Sequence, residues 1–122
     1  MSAQTHDFDS LNLWATWADS EIDKIISKES ITIMQRVVRL LADESESKKI
    51  VVNSETFVPL VREMRDLYKI GSRSLGETIL EASEYVDNQE VEKAKEVYER
   101  FLSSCVSKFY KDIVIYQLSK LP

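Results

Sequence analysis

The chain contains very little glycine or proline. Its 122 residues include two of each, namely Gly71, Gly76, Pro59 and Pro122. Tight turns between strands depend on these residue types, so a sheet of many strands would lack its usual turn positions. The scarcity therefore predicts an all-α fold.

Histidine and cysteine each occur once, as His6 and Cys105. Cys105 has no partner for an internal disulfide and lies in an apolar helical pattern, so we predict a buried thiol rather than a reactive one. A nucleophilic serine or cysteine needs a neighbouring base, and His6 lies in an N-terminal tail that we expect to be frayed. There is no Glu-x-x-His pair and no glycine-rich phosphate loop. We therefore expect a non-enzymatic protein with no cofactor and no metal.

The chain also has no long apolar run. No stretch of about 18 apolar residues occurs, and no basic segment followed by an apolar one opens the sequence. These absences predict a cytoplasmic protein that does not bind membranes. Because 43% of the residues are hydrophobic and 30% are charged, we expect one soluble helical domain, residues 1–122, with a core of its own.

Apolar spacing predicts two shorter helices in the first part of the chain. The first is expected to begin at Asp9 or Ser10 and to end near Ser27. Its apolar face comprises Leu11, Trp14, Ala18, Ile22 and Ile25. The second is expected to begin at Ser30 or Thr32 and to end before the polar segment ADESESKK. The following KKIVVNSE has no second strand with which to pair, so it is predicted as a loop or short helix.

Two long helices are predicted for the remainder of the chain. The first covers about residues 55–87, after Asn53 or Ser54 as a cap, and the second covers about residues 89–120. The apolar pattern stops at Asp87 and Asn88, where we expect the chain to reverse direction. A long antiparallel hairpin covered by the two N-terminal helices would form a four-helix bundle or a close variant of it.

Gly71 and Gly76 lie inside the first long helix. The apolar pattern keeps the same phase on both sides of Gly71, which favours a continuous helix with this glycine facing inward, close to a neighbouring helix. The alternative is a break, because Ser74 and Glu77 have the spacing of a capping box that would start a new helix.

Negative charge is concentrated where the two long helices are expected to meet. Residues 76–99, which we call the acidic elbow, contain eight acids and two bases, a net charge of −6 against −5 for the whole chain. We predict that these acids and one tyrosine bind a cationic partner, although a solvated surface explains the same pattern. The predicted partner-binding residues are Glu77, Glu81, Glu84, Tyr85, Asp87, Glu92, Glu96 and Glu99.

The second half of the chain carries the motifs L-x-R-E at Leu60–Glu63 and G-S-R-x-L at Gly71–Leu75. A short polar break follows, and then a helical pattern that ends in an aromatic-rich stretch. In these features the chain resembles the DUSAM domain, a small helical domain of unknown function. The resemblance implies a helical architecture and no activity.

Size, acidity and the missing catalytic groups together favour a protein-binding function. In these bulk properties the chain is similar to bacterial immunity proteins, so we expect it to bind and neutralise a basic toxin such as a nuclease. Nucleic acid is not an expected partner, because phosphate binding relies on clustered lysine and arginine. The alternative is a regulatory or scaffolding domain that acts through self-association, for example as a homodimer.

Overall fold

The computed structural model describes residues 3–122, and the side chains from His6 onward. This part of the chain is all-α and contains no strand, as the sequence predicts. The helices are α1 (Ala3–Trp14), α2 (Asp19–Lys24), α3 (Lys28–Leu41), α4 (Glu44–Ser47), α5 (Phe57–Asp87), α6 (Val91–Ser104) and α7 (Lys108–Ser119).

Helix α5 is the longest element and extends without interruption through Gly71 and Gly76. The predicted continuous helix is therefore confirmed, and the alternative start at Ser74 is wrong. Before its first residue, the side-chain oxygen of Asn53 accepts hydrogen bonds from the backbone N–H groups of Glu55 and Thr56. At 1.5 Å per residue, the 31 residues of α5 span about 46 Å.

The predicted first helix is in fact two helices separated by a turn at residues 15–18. The guanidinium group of Arg62 on α5 donates hydrogen bonds to the carbonyl oxygens of Ala15 and Trp17, both at 2.7 Å, and also to Asp19. These carbonyl groups accept hydrogen bonds from α5 instead of the backbone hydrogen bonds that would join α1 and α2 into one helix. The predicted boundaries are therefore wrong, since helix α1 starts before Asp9 and α2 ends at Lys24.

Helix α1 also includes His6, which is exposed on an ordered helix and not in a frayed tail. On the neighbouring position, the buried carboxylate of Asp7 accepts two hydrogen bonds from Arg36 of α3, at 2.7 and 2.9 Å. Phe8 packs against the ring of Phe109 with centroids 4.7 Å apart. These contacts hold the start of the chain on the bundle and explain why the helix begins earlier than its apolar pattern.

Helix α3 matches the second predicted helix closely. Ser27 caps its first turn by accepting from the backbone N–H of Ser30, while the Ser30 hydroxyl accepts from the N–H of Ser27. The predicted start was Ser30 or Thr32, so the cap lies a few residues earlier. After Leu41 the chain forms the single turn of α4, where Asp43 accepts from Ser45, and residues 50–52 are a loop, as predicted.

The predicted second long helix, residues 89–120, is also divided. Helix α6 ends at Ser104 and α7 begins at Lys108, with Cys105 in an extended conformation between them. The hydroxyl of Ser107 donates to the carbonyl oxygen of Leu41, and Ser107 pairs through its backbone with Asp43. This tertiary contact turns the chain, although neither glycine nor proline marks the place.

The division of the C-terminal segment decides where the core lies. Helix α6 pairs with α5 as the predicted hairpin, whereas α7 packs against α3, α5 and α6. The largest fully buried side chains come from α1, α2, α3, α5 and α7, and they are Tyr110, Phe57, Leu11, Ile22, Met34, Leu41, Met64, Val37, Val61 and Val114. In the second half of α5 only Ala82 is fully buried, so the part of α5 that belongs to the acidic elbow contributes little to the core.

Candidate functional site: the acidic elbow

The turn inside the acidic elbow is short and closed by backbone hydrogen bonds. The N–H of Glu90 donates to the carbonyl of Tyr85 at 2.8 Å, and the N–H of Gln89 donates to that of Val86 at 3.0 Å. Gln89 has a φ angle of 62°, a left-handed conformation that glycine usually adopts. The side chain of Asn88 adds a bond to the Glu84 carbonyl at 3.0 Å. These bonds fix the direction in which α6 returns along α5.

Three of the predicted partner-binding residues line one shallow cavity of about 400 Å³. Glu81 and Tyr85 reach it from α5, and Glu96 reaches it from α6. Two basic residues of α6, Lys93 and Arg100, line the same cavity. The structure therefore brings these carboxylates together with cations as well as with each other.

Both basic residues interact with groups of the elbow. A nitrogen of Arg100 lies 3.1 Å from a carboxylate oxygen of Glu81, which joins α6 to α5. The ammonium group of Lys93 lies 3.2 Å from Glu90 and 5.8 Å from the centre of the Tyr85 ring. The hydrogen bond that Lys93 donates to the Glu90 carboxylate raises the pKa of Lys93 above its ordinary value. The charges lining the cavity are therefore balanced.

The other five predicted residues lie outside this cavity and are exposed to solvent. Glu84 is two residues from the buried Ala82, and Glu92 is two residues from the buried Ala94. Two helical residues correspond to about 200° of rotation, so these carboxylates point away from the packed faces. In the described part of the chain, no cation lies within 4 Å of any of the five, which are Glu77, Glu84, Asp87, Glu92 and Glu99. Together with Glu96, which is also in no ion pair among the described side chains, they supply the unpaired negative charge of the elbow.

Sequence reasoning did not include Lys93 and Arg100 in the site. Arg100 lies 19 residues from Glu81, and only the packing of α6 on α5 brings them together. The position of the turn in the sequence could have indicated this contact. With the turn at residues 88–90, an antiparallel pair of helices places residues near the end of α6 beside residues near position 81 of α5.

Cys105 is half-buried and lies at the end of α6, with its sulfur 3.8 Å from the carbonyl oxygen of Ser107. The prediction of a fully buried thiol inside a helix is therefore wrong, because the apolar pattern continues through a break that it does not reveal. Among residues whose side chains are described, no three histidine, cysteine or acidic groups are arranged to hold a metal ion.

Comparisons with known proteins give no match. No protein-family model, no curated protein and no solved structure matches the chain. Within residues 3–122, none of the helices combines the length and apolar character needed to cross a membrane.

Proposed function

We propose that the protein is a non-enzymatic binding domain that uses its acidic elbow to dock a cationic protein. In its most concrete form, it is an immunity or antitoxin protein that neutralises a basic toxin such as a nuclease. One observation carries the proposal: a net charge of −6 falls within 24 residues around the turn between α5 and α6, and six of the acids there are exposed and have no cation within 4 Å among the described side chains. Among the described side chains, the ion pairs of the elbow acids are those of Glu90 with Lys93 and of Glu81 with Arg100.

This distribution suits electrostatic steering. Uncompensated carboxylates on one surface create a local potential that accelerates the approach of a positively charged partner, and they do so without contributing to packing. Tyr85, half-buried beside the cavity, offers an aromatic contact of the kind that often anchors an interface. The elbow thus combines a negative electrostatic potential that attracts a cationic partner with an aromatic side chain that can contact it.

The test begins by purifying the native protein at low salt and identifying a bound basic protein. Association of that partner is then measured by stopped flow at about 50 and 500 mM salt. The test variant carries Glu77→Lys, Glu84→Lys and Glu99→Lys, which break no ion pair among the described side chains. We expect association at low salt to slow by about tenfold or more, with a weaker salt dependence and little change in dissociation.

A matched variant carries the same change in net charge at the opposite end of the sequence, through Glu21→Lys, Asp23→Lys and Glu29→Lys. These three acids are also exposed and unpaired among the described side chains. Under the proposal this control retains most of the association rate. Equal losses in both variants would show that only net charge matters, and unchanged binding in the elbow variant would make the elbow a solvated surface.

Self-association is a second candidate function. On α5 the side chains of Ile70 and Leu80 are 66% and 64% exposed, and α7 exposes Ile115 and Tyr116. Exposed apolar side chains on two helices can form a contact surface for a second copy of the chain. Sedimentation over a range of concentrations tests this, because Ile70→Ser with Leu80→Ser abolishes any dimer that uses α5. A monomer at all concentrations removes this candidate.

A further inference from the structure

A second cavity, of about 520 Å³, lies between α3, α4, the loop at residues 48–52 and the first residue of α7. It shares no residue with the acidic elbow. Sites for small molecules in proteins commonly enclose about 300–1,000 Å³ and combine an apolar wall with a few polar groups. The lining of this cavity has both components.

The apolar wall consists of Val38 from α3 and of Ile50 and Val52 from the loop. Val38 is buried and the two loop residues are half-buried, whereas Val51 between them is 63% exposed. The side chains of this loop therefore alternate, with Ile50 and Val52 toward the cavity and Val51 toward solvent. Two branched side chains of the loop thus face the cavity together.

Hydrogen bonds hold this loop in place. The Thr56 hydroxyl donates to the carbonyl of Val51 at 2.7 Å, and the backbone N–H of Asn53 donates to the same hydroxyl at 3.0 Å. The Asn53 side chain accepts from two further N–H groups at the start of α5. The apolar wall is therefore formed in advance, which reduces the entropy cost of binding a ligand.

The charged part of the lining is predominantly basic. It contains Arg39, Lys48 and Lys108 and one acid, Glu44, in a chain whose net charge is −5. Lys108 is paired with Asp112 at 2.8 Å, outside the cavity lining. For Arg39 and Lys48, no carboxylate of the described side chains lies within 4 Å. Two cations are thus available to an anion beside an apolar wall.

We propose that this cavity binds a small organic anion with one compact acidic head on an apolar body. Arg39 and Lys48 receive the head, because hydrogen bonds between charged groups are stronger than those between neutral ones. Val38, Ile50 and Val52 cover the body. Gln35, which also lines the cavity, offers a neutral N–H donor to the head. This site is independent of the proposed function of the elbow.

Sodium octanoate is a suitable probe, titrated into the ¹⁵N-labelled protein and followed by amide chemical shifts. We expect saturable binding, with the largest shifts in residues 35–52 and at Lys108. Acetate has the head without the body, and 1-octanol has the body without the head, so both bind at least about tenfold more weakly than octanoate. Octyl phosphate in a parallel titration distinguishes a phosphate head from a carboxylate head, and saturable binding of either at this cavity supports the proposal.

The decisive variant combines Arg39→Gln with Lys48→Gln and should weaken octanoate binding by at least about tenfold. The matched control combines Lys49→Gln with Lys95→Gln, which removes the same charge from exposed positions outside the cavity and leaves affinity unchanged. All four side chains are exposed, and the spectra report directly whether each variant is folded. The proposal is overturned if neither octanoate nor octyl phosphate binds saturably, if the shifts are centred elsewhere, or if the two variants bind octanoate with equal affinity.

Discussion

The ring of Tyr110 on α7 lies directly against the backbone of Gly71 on α5. A Cβ atom at position 71 would overlap three atoms of that ring. The Tyr110 hydroxyl reaches further along α5 and donates to the carbonyl oxygen of Tyr68 at 2.7 Å. Because Tyr110 is among the largest fully buried side chains, this approach determines how closely α7 packs on the longest helix.

The first prediction is that Gly71→Ala destabilises the protein. In a helix, alanine is favoured over glycine by about 1 kcal/mol, but overpacking in a core typically costs about 1–3 kcal/mol. Since the clash involves the ring of a buried tyrosine, we expect a net loss in the free energy of unfolding. Urea denaturation followed by circular dichroism measures the change.

Gly76→Ala is the matched control, because both glycines lie in α5 and a Cβ atom at Gly76 meets nothing within 4 Å. Here only the helix preference acts, so the variant should be more stable by about 0.4–1 kcal/mol. The same direction of change in both variants would show that Tyr110 moves aside freely.

The second prediction concerns the Tyr110 hydroxyl. Its hydrogen is used in the bond to Tyr68, so the Ser72 hydroxyl, 2.9 Å away, acts as donor to the tyrosine oxygen. Tyr110→Phe keeps the ring and removes both bonds, which should lower the free energy of unfolding by about 1 kcal/mol. In a double-mutant cycle with Ser72→Ala, the two changes should be non-additive. Strict additivity would indicate that the two hydroxyls do not interact.

The third prediction is a loss of stability at alkaline pH. Burial raises the pKa of Tyr110, an effect that the bond from Ser72 partly opposes. A raised pKa in the folded state means that the stabilisation is complete below the ordinary value of about 10 and falls as pH rises toward the folded-state pKa. Between those two values the unfolded chain loses the proton first.

Urea denaturation at intervals from about pH 9 to about pH 12 tests this. Burial also raises the pKa of Tyr98, and hydrogen bonds to Glu90 and Asp112 raise the pKa values of Lys93 and Lys108, so the wild-type decline has several sources. Tyr110→Phe removes one of them and should decline less steeply. Parallel curves for the two proteins would exclude a contribution from Tyr110.

The inward position of Gly71 was predictable from the sequence, because the apolar pattern continues in phase on both sides of it. Its neighbour was not. Tyr110 belongs to a helix that periodicity merged with α6, and the break depends on a bond from Ser107 to Leu41, 66 residues away. Local patterns report which face of a helix is buried, but they do not report contacts that redirect the backbone from a distance.

The same distinction applies to the acidic elbow. Its charge and its turn were readable from the sequence, since both are local properties. The pairing of Arg100 with Glu81 depends on how α6 lies against α5. The same packing places Glu81, Tyr85 and Glu96 around one cavity with two basic residues and leaves the other five predicted residues outside it. The surplus of acids was predictable from the sequence, whereas the packing of α6 on α5 decides which of them form ion pairs.

The last prediction concerns Arg62, which bonds with the turn between α1 and α2. Its guanidinium group donates hydrogen bonds to the carbonyl oxygens of Ala15 and Trp17 and to the carboxylate of Asp19 at the same time. This geometry requires the planar group with its several N–H donors. Arg62→Lys keeps the charge but cannot reach all three acceptors, so hydrogen–deuterium exchange at residues 15–19 should accelerate and the free energy of unfolding should fall by about 1–3 kcal/mol.

Asp19→Asn is the control for this prediction. The Asp19 carboxylate is 74% exposed and the carbonyl bonds remain, so the loss in the free energy of unfolding should stay below about 1 kcal/mol. Faster exchange in both variants to the same extent would mean that the ion pair, and not the carbonyl bonds, holds the turn.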